Sequence, residues 1–261
     1  MITLKTPAQI AKMREAGRVV AAMLEACRAV ARPGVTTAEL DRVAAEVLRK
    51  AGATSSFLGY SVPPYPATIC TSVNHEIVHG IPSPKRKLRE GDIVGIDAGA
   101  IVDGWHADAA ITLPIGRVSP EAERLLRITA EALRVGIARA QVGARIGDIG
   151  TAVEEFVRSQ GFSVVQNYVG HGIGRAMHED PQVPNYRPTR GQPNPPISEG
   201  LCIAIEPMVN IGGPETRTLA DRWTVVTADQ SLSAHFEHTL ACTAGGPVVL
   251  TARGEGAAVA A

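Results

Sequence analysis

Residues 31–52 read ARPGVTTAELDRVAAEVLRKAG, and residues 140–161 read AQVGARIGDIGTAVEEFVRSQG. The two stretches align without a gap at an offset of 109. Ala31/Ala140, Gly34/Gly143, Glu46/Glu155, Arg49/Arg158 and Gly52/Gly161 are identical, and Glu39/Asp148, Leu40/Ile149 and Leu48/Val157 are similar. Two amphipathic helices can look alike by chance, but glycines matched at both ends point to a duplicated unit. Upstream of the first copy, Thr6-Pro7 opens a helix with a capping hydroxyl and a proline whose missing N–H costs nothing at that position. Its apolar stripe, Ile10, Met13, Val20, Met23 and Leu24, runs until Pro33-Gly34. A second helix is expected over 37–50, closed by Gly52. Upstream of the second copy, Ser119-Pro120 opens a helix reaching Gln141, so each half carries a helix pair.

Strand-like runs lie between and after these helices: ATICTS (67–72), DIVGIDAG (92–99), HADAAITL (106–113), LCIAIEP (201–207), WTVVTA (223–228) and HFEHTLACT (235–243). Helices and strands segregated in this way define an α+β chain. The proline-rich region 179–199 reads as a loop and 252–261 as a frayed tail.

The length, 261 residues, and 45% hydrophobic content suffice for a sizeable core. Lys plus Arg and Asp plus Glu are both 26, so no net basic charge marks the chain as a polyanion binder, and specific DNA binding is not expected. Four scattered cysteines, Cys27, Cys70, Cys202 and Cys242, form no disulfide framework, and the amino terminus has no secretory apolar region. No stretch is apolar enough to span a bilayer. These features point to the cytoplasm.

Carboxylates occur inside the apolar runs. Asp97 and Asp108 flank Asp103-Gly104, a pair that favours a two-residue hairpin loop. With that loop Asp108 faces Gly99, and Asp97 shares their face of the sheet. The two aspartates become diagonal neighbours with Cα atoms about 7–8 Å apart. Gly95 and Gly99 are expected to leave room above Asp97. Glu206 ends one apolar run, Glu237 lies inside another, and His171 sits between glycines in GHGIG. Any one of these carboxylates alone reads as an edge residue facing water. Four together, buried and bare, would protonate. Two divalent cations balance four carboxylates, and hard oxygens plus one imidazole suit Mn, Fe, Co or Zn.

IDAGAIVDGWHADAA (96–110), GHGIGRAMHEDPQVPNY (170–186), IEPM (205–208) and FEHT (236–239) resemble the motifs of type I methionine aminopeptidases of the short bacterial kind. The likeness runs from the first helix to about residue 243. It implies the pita-bread fold: two halves related by a pseudo-twofold, helices packed outside a curved antiparallel sheet, and one catalytic domain over 1–251 with halves of roughly 1–115 and 116–251. It implies two metal ions held by Asp97, Asp108, His171, Glu206 and Glu237, with Asp108 and Glu237 bridging. It implies removal of N-terminal methionine from nascent proteins by metal-hydroxide attack on the first peptide bond. Glu206 is then the general base, and His79 and His178 are catalytic groups that also touch substrate. Tyr65, Cys70 and Trp223 line the methionine pocket, and Cys70 is not a nucleophile. Three residues depart from the family pattern: Met177 where Phe is usual, Ala204 where Thr is common, and His235 where Gln is usual.

HEIVH (75–79) fits the H-E-x-x-H pattern of a helical zinc site, but Gly80 and Pro82 leave no room for the helix. The family reading keeps only His79, with His75 and Glu76 in a loop. His106 is expected to be exposed, and Arg175 to order a loop. The basic run 85–89 is a solvated turn or, since the family acts co-translationally, a contact to the ribosome near the exit tunnel. The family is usually monomeric. The alternatives are an Xaa-Pro aminopeptidase or dipeptidase of the same fold, which usually carries a further amino-terminal domain, and a non-catalytic pita-bread binding protein, which would lack ligands.

Overall fold

The structure, a computed structural model, describes residues 1–253; of the expected tail, 254–261 lie outside the described residues. Among the described residues four helices form, three of them opened by a capping hydroxyl. Helix α1 (Pro7–Val30) starts at Thr6, whose hydroxyl accepts the Gln9 N–H while the Gln9 side chain accepts the Thr6 N–H. Helix α2 (Thr37–Ala51) repeats this box with Thr36 and Glu39 and ends on the left-handed Gly52. Helix α3 (Pro120–Arg139) is capped by Ser119, and α4 (Ile146–Ser159) completes the second pair.

The strands of the first half are β1 (Thr54–Ser55), β2 (Ile69–Val73), β3 (Glu76–Val78), β4 (Ile93–Val102) and β5 (Trp105–Pro114). The second half adds β6 (Ser163–Val164), β7 (Gly170–Gly172), β8 (Glu179–Val183), β9 (Cys202–Ile205), β10 (Met208–Asn210), β11 (Thr216–Thr218), β12 (Val225–Thr227), β13 (Ser233–His235), β14 (His238–Thr243) and β15 (Gly246–Val249). Among the described residues all strand pairings are antiparallel. The order β1-β4-β2, with β5 on β4, builds the first half, and β15-β14-β9-β7-β8 the largest sheet of the second. Helices α1 and α2 bury Met23, Leu24 and Leu40 against Val94, Ile96, Ile111 and Leu113 of the β4–β5 hairpin. Helices α3 and α4 bury Leu125, Val153 and Val157 against Val164, Val209 and Ala234.

The duplication reaches further than the helix pairs. Gly34 and Gly143 share φ +92°. Gly34 N–H donates to Leu88 and Gly143 N–H to Ile197, again 109 residues apart, and the bridges Thr36↔Lys87 and Arg145↔Pro196 keep the same offset. Continued, it carries Gly91 (φ +90°) onto Gly200 (φ +85°), Ile96 onto Ile205, and Asp97 onto Glu206. Two carboxylates thus stand at equivalent points of the two halves.

The halves meet along one edge of β5. Ala110 and Glu237 exchange backbone hydrogen bonds. Thr112 Oγ1 accepts the His235 N–H at 2.9 Å and donates to its carbonyl at 2.8 Å. Thr239 Oγ1 accepts the Asp108 N–H at 3.0 Å.

Several expectations need correction. The run 235–243 is two strands, β13 and β14, with Phe236 and Glu237 in the break, so Glu237 is not inside a strand. The loop 179–199 begins as β8, paired with β7. His106 is half-buried, with Nδ1 at 3.0 Å from Ser56 Oγ. Glu76 opens β3, and its carboxylate accepts the Val73 N–H at 2.7 Å, so it braces a turn.

Candidate active site

The β4–β5 hairpin sets the first part of the site. Asp103 and Gly104 both take positive φ, and Gly99 pairs with Asp108 as the two-residue turn requires. Val94, Ile96, Ala98 and Ala100 face the helices, so Asp97 and Asp108 face the opposite side. Cys70 on β2 is the register partner of Asp97, which brings its thiol to the same side. The space expected above Asp97 exists only in part. A Cβ on Gly95 would make ordinary contacts, whereas one on Gly99 would stand 2.8 Å from Phe57 and Ser56 side-chain atoms.

The second half supplies the rest. His171 lies on β7, where a register shift follows it. Its Nδ1 donates to the Gly172 carbonyl at 2.9 Å, which turns Nε2 toward the carboxylates. Nε2 is 3.4 Å from Asp108 Oδ2 and 3.6 Å from Glu206 Oε1. Glu206 sits with Pro207 in the break between β9 and β10, as Glu237 sits between β13 and β14. Asp108, His171 and Glu237 each offer a ligand atom within 4.8 Å of the others. Asp97 and Glu206 line the same cavity, whose volume is about 190 Å³.

Sequestering these groups moves their titration. Burial and then the charges of Asp108 and Glu206 raise Asp97 well above the carboxylate range, and burial with the charges of Asp108, Glu206 and Asp97 does the same to Glu237. Burial lifts Glu206 to about 8, opposed by His171 and assisted by Asp108. Burial would raise Asp108, but the hydrogen bond and charge of His171 and the bond from Thr239 bring it below its usual value. His171 is pulled down by burial yet held at about 9 by Asp108 and Glu206. Asp97 Oδ1 is buried without a hydrogen-bond partner. An orphaned carboxylate oxygen beside three further carboxyls and an imidazole whose other nitrogen is already bonded is a donor set that fits divalent cations.

The cavity also has an apolar lining. Phe57, Tyr65, Cys70, Val78, Met177 and Trp223 form it. Tyr65 is fixed by its hydroxyl, which donates to the Gly80 carbonyl at 2.9 Å, and its ring meets Trp223 edge-on at 5.0 Å. His79 follows β3 at φ +60°, with Tyr168 and Trp223 against its ring, and burial holds it at about 4. His178 packs on His171 with ring centroids 4.3 Å apart, and its Nδ1 meets Tyr60 Oη at 2.5 Å. All ten expected site residues line this cavity. Sequence reasoning missed Phe57, Tyr60 and Tyr168 as lining residues and Thr239 as the group holding Asp108; only the aromatic spacing around Gly59 hinted at the first two. His235, which departs from the family pattern, has a buried Nε2 that stands 3.8 Å from Glu206 Oε2 and 4.0 Å from Glu237 Oε2. HEIVH forms no helix, since Glu76–Val78 is a strand.

Duplicated halves closing on an acidic cavity define the pita-bread class of metal-dependent hydrolases. The chain belongs to metallopeptidase family M24, which matches residues 11–244. It is 48% identical to a methionine aminopeptidase of Clostridium acetobutylicum over 252 residues, 96% of this chain and 99% of that one. A solved methionine aminopeptidase of Thermotoga maritima is 42% identical, with a TM-score of 0.92 over 96% of this chain and 99% of that one. The prolidase of Pyrococcus furiosus, 21% identical, shares the fold with a TM-score of 0.75 over 95% of this chain, which spans 65% of the prolidase. Among the described residues no helix is long and apolar enough to cross a membrane.

Proposed function

We propose that this chain removes the initiating methionine from nascent proteins, as a single catalytic domain over 1–251 with halves of roughly 1–115 and 116–251. The observation that carries the reading is the gathering of Asp97, Asp108, His171, Glu206 and Glu237 in one cavity that also has an apolar lining. Asp108 and Glu237 would bridge two divalent cations, Asp97 completing one and His171 with Glu206 the other. Such cations, when bound, supply the Lewis acidity that activates water and polarises the scissile carbonyl.

The side chains do the remainder. Glu206 takes a proton from the attacking water and passes it to the leaving amine. His178 donates to the carbonyl oxygen as negative charge develops there, a contact worth about 3 kcal/mol in comparable sites. His79, uncharged near neutral pH, hydrogen-bonds at the scissile amide. Tyr65, Cys70, Met177 and Trp223 enclose the methionine side chain. A free α-amine seated beside Asp97 restricts cleavage to the first bond. The cytoplasm, a monomer, and a ribosomal contact through the exposed Lys85, Arg86, Lys87 and Arg89 belong to the same reading.

The test is cleavage of Met-Ala-Ser and of a Gly-Pro peptide by metal-stripped protein, with Co, Mn, Fe or Zn returned in turn. Release of methionine restored by one or more ions, with the Gly-Pro peptide left whole, is expected. Gly-Pro cleavage would favour the Xaa-Pro alternative, and no cleavage with any ion a binding protein.

A further inference from the structure

Among the described residues Lys5 is the only lysine or arginine that is buried, at 4% exposure. Its Nζ donates to Glu179 Oε2 at 2.6 Å and to the Thr3 carbonyl at 2.9 Å. A buried ion pair is weak evidence of stabilisation, because well-packed apolar groups often serve as well. Its location supplies another reason. Glu179 directly follows His178, and its second oxygen, Oε1, accepts the Ala176 N–H at 3.2 Å. One carboxylate thereby spans the turn that presents Met177 and His178 to the cavity. Gly174, at the start of that turn, has no room for a side chain: a Cβ would stand 2.6 Å from both Lys5 Cε and Glu179 Oε1. The turn is laid directly over the ion pair.

Lys5 is itself held from the second half. Its N–H donates to the Gly200 carbonyl at 2.7 Å, and Leu4 bridges Leu201, at the foot of the strand that leads to Glu206. The outer side of the turn is tied to the hairpin, where Arg175 Nη1 donates to the Asp103 carbonyl at 3.0 Å and the guanidinium lies 4.4 Å over the Trp105 ring. The Lys5–Glu179 pair is the inner anchor, fixing the His178 turn relative to the strand that leads to Glu206.

We propose that Lys5 is a positioning residue for the reaction, acting through Glu179 to hold the His178 imidazole over the reacting carbonyl. This rests on the reading of His178 given above. Misplacing a contacting group by a fraction of an ångström costs rate more than binding, so the effect belongs on kcat.

The experiment compares the metal-loaded parent, Lys5→Met, His178→Ala and Lys5→Met/His178→Ala on Met-Ala-Ser. Lys5→Met is expected to lower kcat by about tenfold with KM within about twofold. In the His178→Ala background the same change should move kcat by less than about twofold, since non-additivity marks groups acting through one another. A Lys5→Met variant with the parent's kcat, or one whose loss is equally large without His178, would overturn the proposal. If Lys5→Met does not fold, Lys5→Met/Glu179→Leu leaves no charge unpaired and carries the same criteria. Parental kcat in His178→Ala alone would instead refute the reading of His178, and the proposal with it.

Discussion

Asp97 and Glu206 occupy the same position in the two halves, 109 residues apart, each six residues beyond a left-handed glycine. The shared backbone path aims both carboxylates into one cavity from opposite halves. Their neighbours differ. Asp97 has an oxygen with no partner, while Glu206 lies 3.6 Å from the His171 imidazole. Under the proposed function each completes a different cation. Asp97→Asn and Glu206→Gln should therefore each reduce bound metal from two ions to one and lower kcat by at least about a thousandfold. Elemental analysis of the loaded variants checks the count, and either variant retaining two ions at parental affinity removes that residue from the ligand set.

Thr239 is fully buried and serves Asp108 three times: its Oγ1 accepts the Asp108 N–H, and lies 2.8 Å from the carbonyl and 2.9 Å from Oδ1. The hydroxyl fixes both the seam between the halves and the direction of the carboxylate. Thr239→Val keeps the shape and leaves the Asp108 N–H unsatisfied. A loss of about 1–3 kcal/mol is expected by chemical denaturation, together with about 10- to 100-fold weaker metal binding. Unchanged metal affinity would restrict Thr239 to a role in folding.

What the sequence disclosed follows the range of the interactions. The hairpin register was legible because Asp103-Gly104 is a local turn with one favoured loop length, and both aspartates follow from it. The helix pairs were legible from caps and glycines. The 109-residue offset also holds between 90–97 and 199–206, EGDIVGID against EGLCIAIE, a match too short to mark a repeat by itself. The seam was not legible. It joins Asp108 to Thr239 and Ala110 to Glu237 through contacts more than 120 residues apart in the chain, with no local pattern to mark them. Glu237 therefore read as a strand residue, although the break at 236–237 is what frees it to turn inward. The filling of the Gly99 side by Ser56 and Phe57 is equally non-local.

The raised carboxyls make metal uptake proton-linked. In the metal-free protein at pH 7, Glu206, near 8, keeps its proton, and burial with the neighbouring carboxylates shifts Asp97 and Glu237 in the same direction. Cations must displace the Glu206 proton, so apparent affinity should rise as pH climbs through 8. Calorimetric titration with Mn in two buffers of different ionisation enthalpy should show net proton release. The same shift acts on stability. A carboxyl raised on folding binds more protons folded than unfolded, so its contribution is whole below its ordinary value of 4.5 and lost as pH rises through 8. Metal-free protein should lose melting temperature between pH 5 and 8.5, with a shallower slope in Glu206→Gln. Heat signals identical in the two buffers would contradict the proton count.

Met177 stands where the family usually has phenylalanine, 6% exposed among Phe57, Tyr65, Cys70 and Trp105. A thioether chain adapts its shape where a ring does not. Under the proposed function its contact with a substrate methionine would be uniform binding, present equally before and during reaction. Met177→Ala should thus raise KM for Met-Ala-Ser by about tenfold, the equivalent of roughly 1.4 kcal/mol, with kcat changed little. Met177→Phe should stay within about threefold of the parent on methionine and lose activity on a norleucine peptide, because the rigid ring removes the adaptable wall. Steady-state kinetics on both peptides decide the matter. A fall in kcat at constant KM in Met177→Ala would mean that this side chain acts on its neighbour His178 and not on the bound methionine.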